Sequence, residues 1–79
     1  MREISSIIIH CTATPKDRHV TIEEVRQWHV KGNGWADIGY HYFIDIYGEI
    51  SIGRPVGDVG AHCYRNNQKT IGIVYVGGT

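Results

Sequence analysis

The sequence predicts a small α/β domain built on a mixed central β-sheet with flanking helices. Three observations predict this class: several short segments rich in β-branched and aromatic residues, a helix signal after the first of them, and a length of 79 residues that allows only one domain. The predicted elements follow the order β-α-β-β-loop-β, which favours strands of both directions in one sheet. No internal repeat or low-complexity tract interrupts this order.

The first predicted strand spans residues 4–9, and its aliphatic end is typical of a strand buried on both faces. His10 follows it directly, at a position where a side chain can face the crevice outside the sheet. His10 is therefore either a metal ligand or a strand-end histidine bonded to a loop carbonyl. Because side chains alternate along a strand, Cys11 should point to the opposite face. The polar, proline-containing residues 11–20 predict a loop beside His10.

Residues 21–24, Thr-Ile-Glu-Glu, match a capping box and predict the start of a helix. In a capping box the Thr21 hydroxyl accepts from the Glu24 N–H, and the Glu24 carboxylate returns to Thr21. Glycines that follow Lys31 predict the helix end. One helix face should pack on the sheet, and both tryptophans are interpreted as packing residues. The residues concerned are Ile22, Val25, Trp28 or His29, and Trp35.

Residues 39–46 and 49–53 predict a hairpin that turns at 47–48, and residues 70–76 predict the last strand. Alternation in the second strand places Tyr40 and Tyr42 on one face and His41 on the other. Tyr40 alone is interpreted as a packed strand residue, although a hydroxyl beside a metal can hold water or an oxyanion. Residues 54–68 should be mostly loop. Within that loop, His62 is either a substrate-binding group or an exposed histidine.

Composition excludes several classes of partner. Eight basic and eight acidic residues cancel, and no cluster of Lys or Arg predicts binding to nucleic acid or to an anionic membrane. The longest apolar run is far shorter than the roughly 20 residues that span a bilayer, and no signal peptide is visible. We therefore expect synthesis in the cytoplasm. Cys11 and Cys63 are too few for a disulfide scaffold and lack the spacing of a zinc knuckle.

Six short motifs then occur in a recognisable order. They are Ile-Ile-Ile-His10-Cys-Thr-Ala-Thr14, Ile22 to His29, Trp35-x-x-Ile-Gly-Tyr-His41, Gly48-Glu-Ile with Gly53-Arg54, Gly60-Ala-His62, and Ile71-Gly-Ile73 with Gly77-Gly78. From about residue 7 to residue 78 the chain resembles the phage-lysozyme type of N-acetylmuramoyl-L-alanine amidase, which is related to the peptidoglycan recognition proteins. The resemblance implies the amidase-like α/β fold and a bacterial cell-wall hydrolase.

The resemblance also implies site residues. His10 matches the first of the family's zinc ligands, which are two histidines and a cysteine. Tyr40 matches its catalytic tyrosine, and His62 matches a histidine that lines the groove for the peptide stem. Arg54 and Asn67 lie in neighbouring segments and are candidate substrate-binding residues. The implied reaction is zinc-assisted hydrolysis of the amide between N-acetylmuramic acid and L-alanine, in which zinc polarises the carbonyl and activates water.

In the family, the other zinc ligands and an acid/base residue lie beyond the strand that ends at Gly77-Gly78. We therefore expect residues 1–79 to form a single, truncated amidase-like domain with an incomplete zinc site, inactive alone. We also expect an exposed apolar sheet face that favours self-association. An alternative reading is a non-catalytic peptidoglycan-binding or muropeptide-binding module. In either case the resemblance implies peptidoglycan as the partner and the bacterial cell wall as the place of action.

Overall fold

The computed structural model describes residues 2–15, 18–34, 37–63 and 65–78. These residues form the strands β1 (Ser6–Cys11), β2 (Tyr42–Ile44), β3 (Ile50–Ile52) and β4 (Thr70–Tyr75), with the helix α1 (Ile22–Gln27) between β1 and β2. A π-helical segment, Trp28–Gly32, continues α1 by about one turn. The order of elements is the predicted one. The first strand begins and ends two residues later than the predicted range 4–9, so it includes His10 and Cys11. The second strand is shorter than expected, because regular pairing begins only at Tyr42.

The four strands form one mixed sheet in the order β1-β4-β2-β3. β4 lies between β1 and β2 and runs parallel to both, whereas β2 and β3 form an antiparallel hairpin. The hairpin turn is stabilised by Asp45, whose Oδ1 accepts from the N–H groups of Tyr47 and Glu49 at 2.9 Å each. Gly48 adopts a φ of +85° there, which is a conformation that favours glycine. The mixed sheet predicted from the sequence is confirmed.

The helix begins at the predicted cap. Thr21 Oγ1 accepts from the Glu24 N–H at 3.2 Å, as a capping residue does. The second half of the predicted capping box is different, because the Glu24 carboxylate lies 3.7 Å from the Arg18 guanidinium.

The inward face of the helix carries Val25, which is 2% exposed, with Ile22 packed beside the core. The packing predicted for Trp28 is wrong: this side chain is 41% exposed, and the Arg18 guanidinium lies 5.7 Å from its ring centre. His29 takes the inward position instead, four residues after Val25, and its Nδ1 accepts from the Gly39 N–H at 2.8 Å. Trp35 lies outside the described residues.

The core lies between the helix and one face of the sheet. It contains the buried side chains Val20, Val25, Ile38, Phe43 and Val74. On β4, Val74 is paired with His10 of β1 and with Phe43 of β2. Since paired residues in neighbouring strands point to the same side of a sheet, His10 lies on the core face at the end of its strand.

The opposite face of the sheet is apolar and open. Ile9, Ile73, Tyr42 and Ile52 form one continuous row across all four strands. The two ends of this row, Ile9 and Ile52, are 67% and 69% exposed. The prediction that the first strand is buried on both faces is therefore wrong, because one face of β1 is open. The exposed apolar face predicted from the sequence is therefore present. Within the described parts of the chain, no helix is long and apolar enough to cross a membrane.

Candidate functional site

His10 is held rigidly at the carboxyl end of β1. The strand continues through Cys11, which pairs with Tyr75 on the open face, so His10 and Cys11 point to opposite sides as predicted. The loop after them is tied to the end of β4. Thr12 Oγ1 accepts from the Gly77 N–H at 3.0 Å, and the Thr14 N–H donates to the Gly77 carbonyl at 3.1 Å. The threonines of the His-x-Thr-x-Thr motif thus fix the backbone that follows His10.

Tyr40 lies beside His10 on the core face of the sheet, whereas strand alternation predicts that it shares a face with Tyr42. Its ring centre is 5.3 Å from that of His10 and 5.3 Å from that of His29, and it packs against the core. Tyr42 pairs with Ile73 and belongs to the open face. The alternation argument fails because β2 begins at Tyr42, so Tyr40 precedes the regular strand. Tyr40 and Tyr42 therefore do not share a face.

His62 enters the same cluster from the loop between β3 and β4. Its Nδ1 lies 2.9 Å from His10 Nε2, and its Nε2 lies 3.2 Å from Thr70 Oγ1. Its ring centre is 6.4 Å from that of Tyr40. The His62 ring is thus held by a side chain from β1 and one from β4, and it is not a freely exposed loop histidine. His10, Tyr40 and His62 together form the site cluster.

Two glycines make room for the His62 ring. A Cβ on Gly72, in the middle of β4, would lie 2.5 Å from His62 ring carbons. A Cβ on Gly60 would lie 2.7 Å from His62 Cδ2 and 2.8 Å from the Gly39 carbonyl oxygen. Such distances are shorter than carbon atoms tolerate. Glycine is therefore required sterically at both positions if His62 is to keep its place.

The cluster is electrically neutral near pH 7. Burial lowers the pKa of His10. Burial, and then the neighbouring His10 and His41 rings, lower the pKa of His62 to about 4. Burial and then Cys11 raise the pKa of Tyr40, so its phenol keeps its proton. The site therefore presents uncharged imidazoles, which are able to bind a metal ion, beside a hydroxyl that can donate a hydrogen bond.

Arg54 and Asn67 have structural roles. Arg54 donates from Nε to the Ile38 carbonyl at 3.1 Å and from Nη1 to the Val59 carbonyl at 2.7 Å. Asn67 Oδ1 accepts from the backbone N–H groups of His62 and Cys63 at 3.0 and 2.9 Å. Both side chains thus fix the loops that surround the cluster. The substrate contacts predicted for them stay predictions.

The sequence does not predict two residues that hold the cluster in place, His41 and Thr70. His41 is fully buried, and its Nδ1 accepts from the Gly72 N–H at 3.0 Å. Its Nε2 then donates to the Asp58 carbonyl at 2.7 Å. Thr70, which is 6% exposed, contacts His62 from β4. No local sequence pattern predicts these contacts, because each partner belongs to another strand or loop.

The zinc site predicted at His10 requires further metal-ligating side chains close to this histidine. Among residues 2–15, 18–34, 37–63 and 65–78, no three His, Cys, Asp or Glu side chains are grouped so that they could hold one metal ion. His10 itself fits one position of such a site, because its ring is held by a strand and a described partner occupies only its Nε2. A zinc ion in an enzyme usually takes three protein ligands. The described residues fit part of a zinc site.

Comparison with known proteins places these residues in a family. Residues 1–79 match the family described as N-acetylmuramoyl-L-alanine amidase. The endolysin of Klebsiella phage KP32 is 42% identical over 77 residues, which cover 98% of this chain and 50% of that protein. The chain thus spans about half the length of the curated relatives it matches.

Solved structures agree with the sequence comparison. The N-acetylmuramoyl-L-alanine amidase LysC from Clostridium intestinale superposes with a TM-score of 0.86 at 32% identity, over 98% of this chain and 49% of that one. The ectodomain complex of peptidoglycan recognition proteins LCa and LCx with bound tracheal cytotoxin superposes with a TM-score of 0.83 at 28% identity, over 96% of this chain and 49% of that one. The fold expected from the motifs is confirmed.

Proposed function

The chain belongs to the N-acetylmuramoyl-L-alanine amidase family, and we propose from this that the protein hydrolyses the amide between N-acetylmuramic acid and L-alanine in bacterial peptidoglycan. The observation that carries the proposal is the cluster of His10, Tyr40 and His62 at one end of the sheet, with ring centres 5.0 to 6.4 Å apart. A metal-binding imidazole, a protonated phenol and a second imidazole suit the hydrolysis of an unactivated amide.

In this proposal each residue of the cluster has its own role. His10 is a zinc ligand. Tyr40, whose raised pKa keeps its phenol protonated, donates a hydrogen bond to the oxygen that becomes negative as the amide carbonyl is attacked. His62 lines the groove beside the scissile bond and contacts the peptide stem. Such a division of labour requires the rings to be fixed before substrate binds, which the strand and loop contacts provide.

Zinc dependence is part of the proposal. Zinc, when bound, would polarise the amide carbonyl and bring the pKa of water toward about 7. His10 would contribute one ligand, and at least one of the others would have to come from outside the described residues. We therefore expect activity to depend on at least one ligand that the described residues do not supply. The apolar face of the sheet, with Ile9 and Ile52 exposed, supports the further proposal that this chain associates with itself.

A chimera tests the function directly. Residues 1–79 would replace the matching half of the Klebsiella phage endolysin, with which they share 42% identity. We expect the chimera to release peptides from purified peptidoglycan, His10→Ala to abolish the activity, and Tyr40→Phe to reduce it about 100-fold or more. The control is His19→Ala, because His19 is exposed and contacts Tyr47 away from the cluster.

The chimera also distinguishes hydrolysis from binding. If a folded chimera binds peptidoglycan but releases nothing, the chain is a binding module, as suggested by the tracheal cytotoxin held by the recognition-protein complex. Activity that survives His10→Ala would instead refute the role of His10. Zinc content, measured on the chimera and on its His10→Ala variant, tests the metal independently of the reaction.

A further inference from the structure

A chain of hydrogen bonds leads from the loop before β4 to the metal-binding end of the site. It begins at the Asn66 carbonyl, which accepts from Thr70 Oγ1 at 2.5 Å. The Thr70 oxygen then lies 3.2 Å from His62 Nε2, and His62 Nδ1 lies 2.9 Å from His10 Nε2. Four residues from β1, β4 and the intervening loop are thus linked in one direction.

The position of a single hydrogen atom at Thr70 sets the direction of this chain. A hydroxyl has one hydrogen to donate and two lone pairs to accept with. The Thr70 hydrogen is used in the 2.5 Å bond to the Asn66 carbonyl, and a carbonyl cannot donate in return. Thr70 Oγ1 must therefore accept from His62, so His62 carries its hydrogen on Nε2.

The assignment passes from His62 to His10. A neutral imidazole with its hydrogen on Nε2 has a lone pair on Nδ1, so His62 Nδ1 accepts from His10 Nε2 across the 2.9 Å contact. The His10 ring then carries its hydrogen on Nε2 and its lone pair on Nδ1. No described residue hydrogen-bonds to that Nδ1. The low pKa of His62, about 4, agrees with a neutral ring between the two partners.

We propose that Thr70 is a positioning residue which, acting through His62, holds His10 in the Nε2-protonated tautomer and leaves Nδ1 as the metal-binding nitrogen. The choice of tautomer in a metal-binding histidine is commonly made by the bond that its other nitrogen forms. Here that bond is made by a second histidine, whose own tautomer is set by a buried threonine. The metal-binding part of this inference rests on the proposed function, whereas the tautomer itself does not.

The test is two-bond ¹H–¹⁵N correlation NMR of the histidine side chains of the purified chain at pH 7.5, without metal. We expect His10 and His62 to show a protonated Nε2 and an unprotonated Nδ1. Thr70→Val keeps the shape and β-branching of the side chain but removes the hydroxyl. In that variant the two ¹⁵N shifts of His62, and with them those of His10, should move toward each other as both tautomers become populated. Thr70→Ser should restore the original pattern.

Two other histidines are internal controls. Backbone N–H groups donate to His29 Nδ1 at 2.8 Å and to His41 Nδ1 at 3.0 Å, so these rings should show the Nε2-protonated tautomer in every variant. A change confined to His62 and His10 would exclude a general loss of structure. The wild-type spectrum is decisive by itself if Thr70→Val does not fold, because a protonated Nδ1 on His10 or His62 would overturn the proposal.

Addition of zinc separates this inference from the proposed function. If His10 shows the expected tautomer and its Nδ1 resonance shifts on titration with zinc chloride, the hydrogen-bond chain and the metal-binding role of His10 are both supported. If the tautomer is as expected but zinc leaves His10 unchanged in the chain and in the endolysin chimera, the hydrogen-bond chain stands and the metal role fails. An unaltered His10 tautomer in a folded Thr70→Val variant would overturn the role of Thr70, whatever zinc does.

Discussion

Replacing Gly72 by alanine would place a methyl group where the His62 ring now lies. The new Cβ would be 2.5 Å from both Cγ and Cδ2 of His62, whereas carbon atoms pack best at about 3.5–4.0 Å. β4 lies inside the sheet with a partner strand on each side, so its backbone has little freedom to move. The His62 ring would therefore shift by roughly 1 Å, which is the shortfall between the two distances.

Two effects of Gly72→Ala lower the free energy of unfolding. Overpacking of a well-packed site costs about 1–3 kcal/mol. A shift of roughly 1 Å would also lengthen the 2.9 Å contact between His62 and His10 beyond hydrogen-bonding range, at a net cost of about 0.5–1.5 kcal/mol. We expect Gly72→Ala to lower the free energy of unfolding by about 2–4 kcal/mol. In the NMR experiment, the tautomer of His10 should become mixed.

The loss of unfolding free energy in Gly72→Ala is measured by urea unfolding at pH 7.5, monitored by circular dichroism. The matched control is Gly57→Ala, since a Cβ on Gly57 would meet nothing within 4 Å. This control should be neutral or more stable by up to about 1 kcal/mol. If Gly72→Ala unfolds at the same urea concentration as Gly57→Ala and keeps the tautomer of His10, the steric argument for the site is refuted.

Three further predictions concern the cap, the pH dependence and the open face. Thr21→Ala should lower the free energy of unfolding by about 1 kcal/mol through loss of the Glu24 N–H bond, and equal urea midpoints would contradict this. Burial lowers the pKa of His10 and of His62, so the unfolded chain binds more protons as the pH falls from about 6.5 toward 4. Stability should therefore fall over that window, whereas a urea midpoint at pH 5 equal to that at pH 7.5 would refute the sign. Sedimentation should show concentration-dependent self-association that Ile9→Lys weakens, and a monomer at all concentrations would exclude it.

Local features of the sequence were sufficient for the elements and for part of the site. Three correct predictions depend on residues close together in the chain. They are the Thr21 cap, the order of strands and helix along the chain, and the place of His10 at a strand end. The opposite directions of His10 and Cys11 follow in the same way from alternation. These predictions succeeded because period and capping are properties of a few neighbouring residues.

The failures have a common physical origin. Alternation predicts that Tyr40 and Tyr42 share a face, but β2 begins at Tyr42. The point at which regular pairing ends depends on the hydrogen-bonding groups of the neighbouring strand. Helical spacing allows either Trp28 or His29 at the inward position, and a packing role is predicted for Trp28. The inward position belongs to His29, whose Nδ1 accepts from the Gly39 N–H. In both cases the decisive partner lies outside the local segment on which the prediction depends.

The sequence by itself determined the fold class, the family and the chemical type of the cluster, since these depend on local pattern and on residue identity. Only the tertiary structure decided how the cluster is held together. His10 and His62 are 52 positions apart, and their contact exists because β1 and β4 pair in one register and Gly72 leaves space for a ring beside them. Register and steric space result from the packing of whole strands. They therefore emerge only when the chain is folded.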